Sequence, residues 1–174
     1  MKDNSFQKIE KVVVNTGLGR ASAQANFGDK ILPEIAKEFA MVTGQKPRER
    51  RAVKSIAGFK LRAGTVVGLV ATLRGKRMEH FIKKLVGTAL PRVRDFRGIR
   101  KTSVDARGNL TLGVKEHIVF PEIVPELSRA DFGLEVTIVP KIEANHEEAI
   151  ALYKEVGIPF GDDIKEVKIR KKKK

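Results

Sequence analysis

The chain has 174 residues, 41% of them apolar, with no cysteine and no tryptophan. A chain of that length can bury about 70% of its unfolded surface without a disulfide or metal, and the lack of cysteine excludes disulfides, thiolate zinc sites, iron–sulfur clusters and cysteine nucleophiles. Lysine and arginine number 35 against 21 acids, a net charge of +14, which points to a polyanionic partner because each neutralised phosphate releases condensed counterions.

In chain order, residues 8–16 (KIEKVVVNT) predict a strand that ends in a turn at Gly17-Leu18-Gly19. Residues 27–43 place Phe27, Ile31, Ile35 and Phe39 at four-residue spacing, widened by Leu32 and Ala36, which is one face of a helix closed by Gly44. Residues 46–53 are a cation-rich strand. A glycine-containing loop follows at 54–64, then a strand at 65–74 in which Val67, Leu69, Ala71 and Leu73 alternate with Gly68, Val70, Thr72 and Arg74. Met78, Phe81, Ile82, Leu85, Val86, Ala89 and Leu90 predict a helix over 76–90, with Pro91 just beyond it.

After the basic segment PRVRDFRGIRK, a turn at 105–108 leads into a strand at 109–115 with Leu110, Leu112 and Val114 on one face. Residues 133–139 repeat the pattern with Leu134, Val136 and Ile138. A last helix starts at Asn145, with Glu148 at the reciprocal capping position and Ala149, Ile150, Tyr153 and Val156 as its apolar stripe. We read residues 1–167 as a single domain and the tail KIRKKKK at 168–174 as disordered until it meets an anion.

Strands with one apolar and one polar face predict an α+β fold, an antiparallel sheet with helices packed on one face and the other face open for RNA. The open face would carry Asn15, Thr72, Arg74, Asn109, Thr111 and Lys115. No apolar run is long enough to span a bilayer, no signal peptide is evident, and the cations lie mostly in strands and loops rather than on an amphipathic helix. That argues against a membrane partner and makes the cytoplasm the expected compartment.

Enzyme signatures are weak. Gly17-Leu18-Gly19 precedes a helix, but position 22 is Ser22, so the third glycine of a dinucleotide loop is missing. His146-Glu147 has Ile150 where a zinc helix needs a second histidine. His80, His117 and His146 are far apart in sequence; spacing leaves a Ser–His–Asp site open without supporting one. Asp162-Asp163 reads as an exposed loop pair. No cofactor, metal or small-molecule substrate is expected.

Three basic clusters carry the binding argument. The first is Lys46, Arg48, Arg50, Arg51, Lys54, Lys60 and Arg62; the second is Arg92, Arg94, Arg97, Arg100 and Lys101; the third is the tail. Arginine dominates the first two, as suits planar contact with phosphate and stacking on bases. In the loop KSIAGFKLRAG, the segment Ile56, Ala57, Gly58, Phe59 is an apolar tip flanked by cations. Either it is a finger that packs on RNA, or a hairpin whose Phe59 joins the core; spacing alone favours the core. With one tyrosine and no RNP-type aromatic strand, structured RNA is a better expectation than a splayed single strand.

The strings VVVNTGLG, TGQKP, KSIAGFKLRAG, TLRG followed by RMEHFIKKL, PRVRDFRGI, GNLTLGVKEHIVFPEI and GIPF resemble, in order from Val12 to Phe160, the bacterial form of the large-subunit ribosomal protein five family. The resemblance implies an α+β fold, residence in the central protuberance, and binding of 5S rRNA that attaches it to 23S rRNA. Carried over by motif, the 5S contacts are Asn15, Gln45 and Thr72, joined by Arg74. The resemblance also implies that the finger, comprising Lys54, Ser55, Ile56, Ala57, Gly58, Phe59, Lys60 and Arg62, reaches peptidyl-site tRNA, which favours the finger reading of Phe59. Arg48, Arg50, Arg51 and the second cluster would hold rRNA backbone. Further implied partners are large-subunit ribosomal protein eighteen and a small-subunit head protein at an inter-subunit bridge. Two departures stand out: the stretch before the first strand, where the family carries a helix of about twenty residues, is short, and the Lys-rich tail runs past the usual end, where it is expected to add backbone contacts. A free RNA chaperone using the same surface is the alternative, an enzyme the third.

Overall fold

The computed structural model describes residues 3–161 apart from 24, 25, 60, 127, 129 and 130. Five strands form one sheet: β1 (Ile9–Gly17), β2 (Arg48–Arg51), β3 (Val66–Leu73), β4 (Leu110–Val114) and β5 (Leu134–Pro140), in the spatial order β2-β3-β1-β5-β4. Every pairing is antiparallel. The helices are α1 (Leu32–Thr43), α2 (Gly75–Lys84), the single turn α3 (Leu90–Arg92) and α4 (His146–Val156).

Alternation decides which side of the sheet meets the helices. Ile9, Val12, Val14, Leu69, Ala71, Leu73, Leu110, Leu112, Val114, Leu134, Val136 and Ile138 are all buried, and they pack with Ile35, Phe39 and Val42 of α1, Met78, Phe81 and Ile82 of α2, and Ala149, Tyr153 and Val156 of α4 in one apolar core. Each of these large side chains contributes about 1.5–3 kcal/mol on full burial, so a one-residue register slip, which would turn a strand over, is strongly disfavoured.

The helices differ in detail from the sequence expectation. The first begins with a π turn at Phe27–Ile31 and ends at Gly44, whose φ of 69° is the left-handed geometry glycine allows. The second continues through a π turn at Leu85–Ala89, where the Leu90 N–H bonds the Leu85 carbonyl, into α3. Pro91 therefore lies inside the last helical turn rather than beyond the helix: Ala89 and Leu90 before it are helical, and the chain turns extended only at Val93. On α4 the buried stripe includes Leu152, while Ile150 is only partly buried. The Asn145 N–H donates to Glu148 at 3.1 Å, as the capping pattern requires.

The turn before β4 is held by Asp105, whose carboxylate accepts from the N–H groups of Arg107 and Asn109 and from the Asn109 side chain at 2.8–2.9 Å. The Asn109 side-chain bond is the main cause that lowers its pKa. Tyr153 ties that turn to the sheet: its buried hydroxyl lies 2.6 Å from the Gly108 carbonyl and 3.0 Å from that of Ile138.

Candidate nucleic-acid interface

Among the described residues, nothing covers the face of the sheet away from the helices, and strand register arranges it in rows. Arg48 pairs with Val70, Val70 with Asn15, Asn15 with Glu135, and Glu135 with Gly113. The next row is Thr72, Val13, Thr137 and Thr111. Directly paired residues share a face, so Asn15 and Thr72 stand one row apart on the open side, as expected, each partly exposed. Thr111 and Thr137 are joined through their hydroxyls at 3.2 Å. The rows also contain Val13, Val70 and Glu135, so the face is less uniformly polar and cationic than sequence reading anticipates. An acid adjoins Asn15.

Gln45, just past the end of α1, is part of the same surface. Its side-chain amide donates to the Thr72 carbonyl at 3.3 Å. Thr43 holds the turn that presents it, its hydroxyl donating to the Phe39 and Gln45 carbonyls at 2.8 and 3.0 Å. Arg74 is exposed one residue past β3, at the entry to α2.

The arginines of β2 lie on the edge strand and are all exposed. Register puts Arg48 and Arg50 opposite the open-face positions Val70 and Gly68, and a bulge before Arg51 brings it opposite Val66, which packs against the core. Arg51 pairs with Glu49 at 2.8 Å, but this exposed ion pair contributes at most about 1 kcal/mol and yields readily to phosphate.

Beyond β2 the chain forms a hairpin finger. It is closed at the base by Ala52 N–H to Thr65 O and Gly64 N–H to Ala52 O, both 2.8 Å, and at the tip by Ile56 N–H to Leu61 O (2.9 Å) and Leu61 N–H to Ile56 O (3.1 Å). The Ser55 hydroxyl accepts from the Ala63 N–H at 2.9 Å. Phe59 is 78% exposed and Ile56 46%, so Phe59 does not join the core, contrary to what spacing alone favours. The tip turn Ala57–Phe59 is too short to fold that ring back under the sheet. Lys54, Ser55, Ala57, Gly58 and Arg62 are exposed; Lys60 is outside the described residues.

The second arginine cluster is not on the sheet. Arg94, Arg97 and Arg100 project from a loop after α3 that is pinned to the end of the described chain by Ile99 N–H to Pro159 O (2.8 Å) and Gly161 N–H to Ile99 O (3.0 Å). Arg92 is exposed on α3 and reaches the Val119 carbonyl at 3.4 Å, while Lys101 is half-buried. The tail at 168–174 and Asp162-Asp163 lie outside the described residues.

One Ser–His–acid group does assemble. His117 Nε2 lies 3.0 Å from both Ser128 Oγ and Glu38 Oε2, and the serine hydroxyl donates to the same carboxylate at 3.1 Å. One ring nitrogen serves both partners, the ring is stacked on Phe132 at 4.0 Å, and His117 is fully buried. A nucleophilic site needs acid and nucleophile on opposite ring nitrogens and an open approach. This cluster clamps α1 to the segment between β4 and β5 instead.

Residues 7–62 match the family model for ribosomal protein L5, and residues 66–160 match the model for the C-terminus of the ribosomal L5 family. The chain is 50% identical to large ribosomal subunit protein uL5 of a Synechococcus species, over 92% of this chain and 90% of the relative. It is 49% identical to the protein of that name from Trichodesmium erythraeum, covering 88% and 82% of the two chains, and 48% identical to that of Thermus thermophilus, covering 88% and 81%.

Proposed function

The chain belongs to the ribosomal L5 family, a structural constituent of the large ribosomal subunit rather than an enzyme, and from that premise we propose that its open sheet face binds 5S rRNA. The observation that carries this reading is the cross-strand row Arg48–Val70–Asn15–Glu135, with Thr72 in the row beside it. Polar hydrogen-bonding groups occupy the middle of an uncovered sheet, and cations stand at its β2 edge. Glu135 disfavours phosphate at the centre and accepts from sugar hydroxyls or base amino groups, whereas the edge arginines favour phosphate. Asn15, Thr72, Gln45 and Arg74 are the proposed 5S contacts.

The arginines of the β2 edge and those beyond the sheet share one role in this reading, backbone contact. Arg48, Arg50, Arg51, Arg92, Arg94, Arg97, Arg100 and Lys101 hold rRNA backbone, attaching the 5S complex to 23S rRNA in the central protuberance. The finger, with Lys54, Arg62 and Phe59 at or near its tip, contacts peptidyl-site tRNA. Large-subunit ribosomal protein eighteen and a small-subunit head protein complete the proposed neighbourhood.

The test is binding of the purified protein to 5S rRNA against excess tRNA across a salt series, beside an Asn15→Ala/Thr72→Ala double variant. Loss of specific hydrogen bonds should cost about 1–3 kcal/mol and leave the salt slope nearly unchanged. Equal competition by tRNA, with the variant behaving as the parent, would mean that charge alone drives binding and would defeat the residue assignment.

A further inference from the structure

A groove of about 1030 Å³ opens between the finger and the end of β1, lined by Leu18, Arg20, Val53, Ile56 and Phe59, with Phe132 on its other side. Its floor is core: Leu18 and Phe132 are 2% and 5% exposed. Its outer wall is the reverse, with Val53 90% and Phe59 78% exposed. Backbone hydrogen bonds close the finger at both base and tip, so these side chains are held out in water by a formed hairpin. Among the described residues, Phe59 is the one exposed phenylalanine.

We propose that this groove takes one unstacked nucleobase of RNA, its ring lying on Phe59 and its flanking phosphates on Lys54 and Arg20. The inference rests on the reading of the finger as an RNA-contacting element and adds what the finger grips. Charge separates this occupant from others. Lys54, Arg20 and the acid Asp131 all line the groove and are exposed, so phosphate is attracted beside the two cations and repelled beside the acid. An anion-flanked, uncharged planar ring meets both demands at once. A base ring on an aromatic face is also sequence-tolerant, consistent with a protein whose exposed cations otherwise suit backbone contact. The volume is at the upper end of ligand clefts, roughly 300–1,000 Å³, leaving room for a nucleotide to enter from the side.

The full chain is titrated by fluorescence anisotropy with a labelled ten-nucleotide oligoadenylate and with an abasic strand of the same length and charge. Stacking of one base predicts roughly 5- to 150-fold tighter binding of oligoadenylate. Phe59→Ala should erase that preference and leave abasic affinity unchanged, and Phe59→Trp should keep it; both changes are at an exposed position that the core does not use. Equal affinity of the native protein for the two strands, or a preference that survives Phe59→Ala, overturns the inference. Transfer RNA is titrated in parallel to separate the two readings. Weaker tRNA binding by Phe59→Ala than by the native protein, with no base preference in the native protein, sinks the groove and spares the tRNA contact. A Phe59-dependent base preference that tRNA fails to compete for sinks the tRNA contact and spares the groove.

Discussion

The side-chain amide of Gln45 donates to the main-chain carbonyl of Thr72, 3.3 Å away and 27 positions along the chain. Two of the four proposed 5S contacts are thus bound to each other, so a loss of RNA affinity on changing Gln45 has two origins to separate.

Thr72→Val separates them. It keeps the carbonyl that Gln45 uses and removes only the hydroxyl on the open face. We expect unchanged thermal stability with 5S rRNA binding weakened by about 1 kcal/mol or more. Gln45→Ala should lower both, stability by about 0.5–1.5 kcal/mol. Denaturation midpoints and filter binding on the same preparations check the pair; a Thr72→Val protein with full affinity removes Thr72 from the contact set.

Tyr153→Phe should cost about 1–3 kcal/mol, because the carbonyls of Gly108 and Ile138 lose their shared buried donor. Burial holds the Tyr153 phenol protonated well above its ordinary value. A group with a raised folded pKa contributes stability below its unfolded pKa, about 10, and loses that contribution as pH rises above it. Urea midpoints measured from pH 8 to 11 should therefore fall more steeply for the native chain than for Tyr153→Phe.

Gly98 has a φ of 95°, and a Cβ there would strike the backbone of Phe160 and Gly161. Gly98→Ala should cost about 2 kcal/mol or more, since strain and collision act together. The Ile99–Phe160 bridge would open, and the Arg94–Arg100 loop would lose its anchor. The check is a lower melting temperature accompanied by weaker binding to rRNA fragments, while Gly58→Ala, in open space at the finger tip, leaves melting unchanged.

Residues 168–174 carry six cations. Removing them should weaken RNA binding and flatten the plot of log affinity against log salt, by up to about 0.9 for each phosphate the tail neutralises on a duplex. An unchanged slope would exclude the tail from the interface.

How much of this was legible in advance depends on the range of each interaction. Period-two alternation marks Leu69, Ala71 and Leu73 as buried and Thr72 as outward, and a capping pattern places the start of α4, because both are set by neighbours in the chain. Which side of the sheet the helices leave free followed from the same alternation. Position across the sheet did not. Alternation says which face a residue takes but not which strand lies beside it, so Glu135 beside Asn15 and the Gln45–Thr72 bond emerge only when apolar faces close on one core. Phe59 illustrates the same limit in reverse: its apolar character predicts burial, and the tight hairpin turn keeps it in solvent. The His117–Ser128–Glu38 clamp joins residues up to 90 positions apart, a separation at which only the closed core, not local sequence, decides who meets whom.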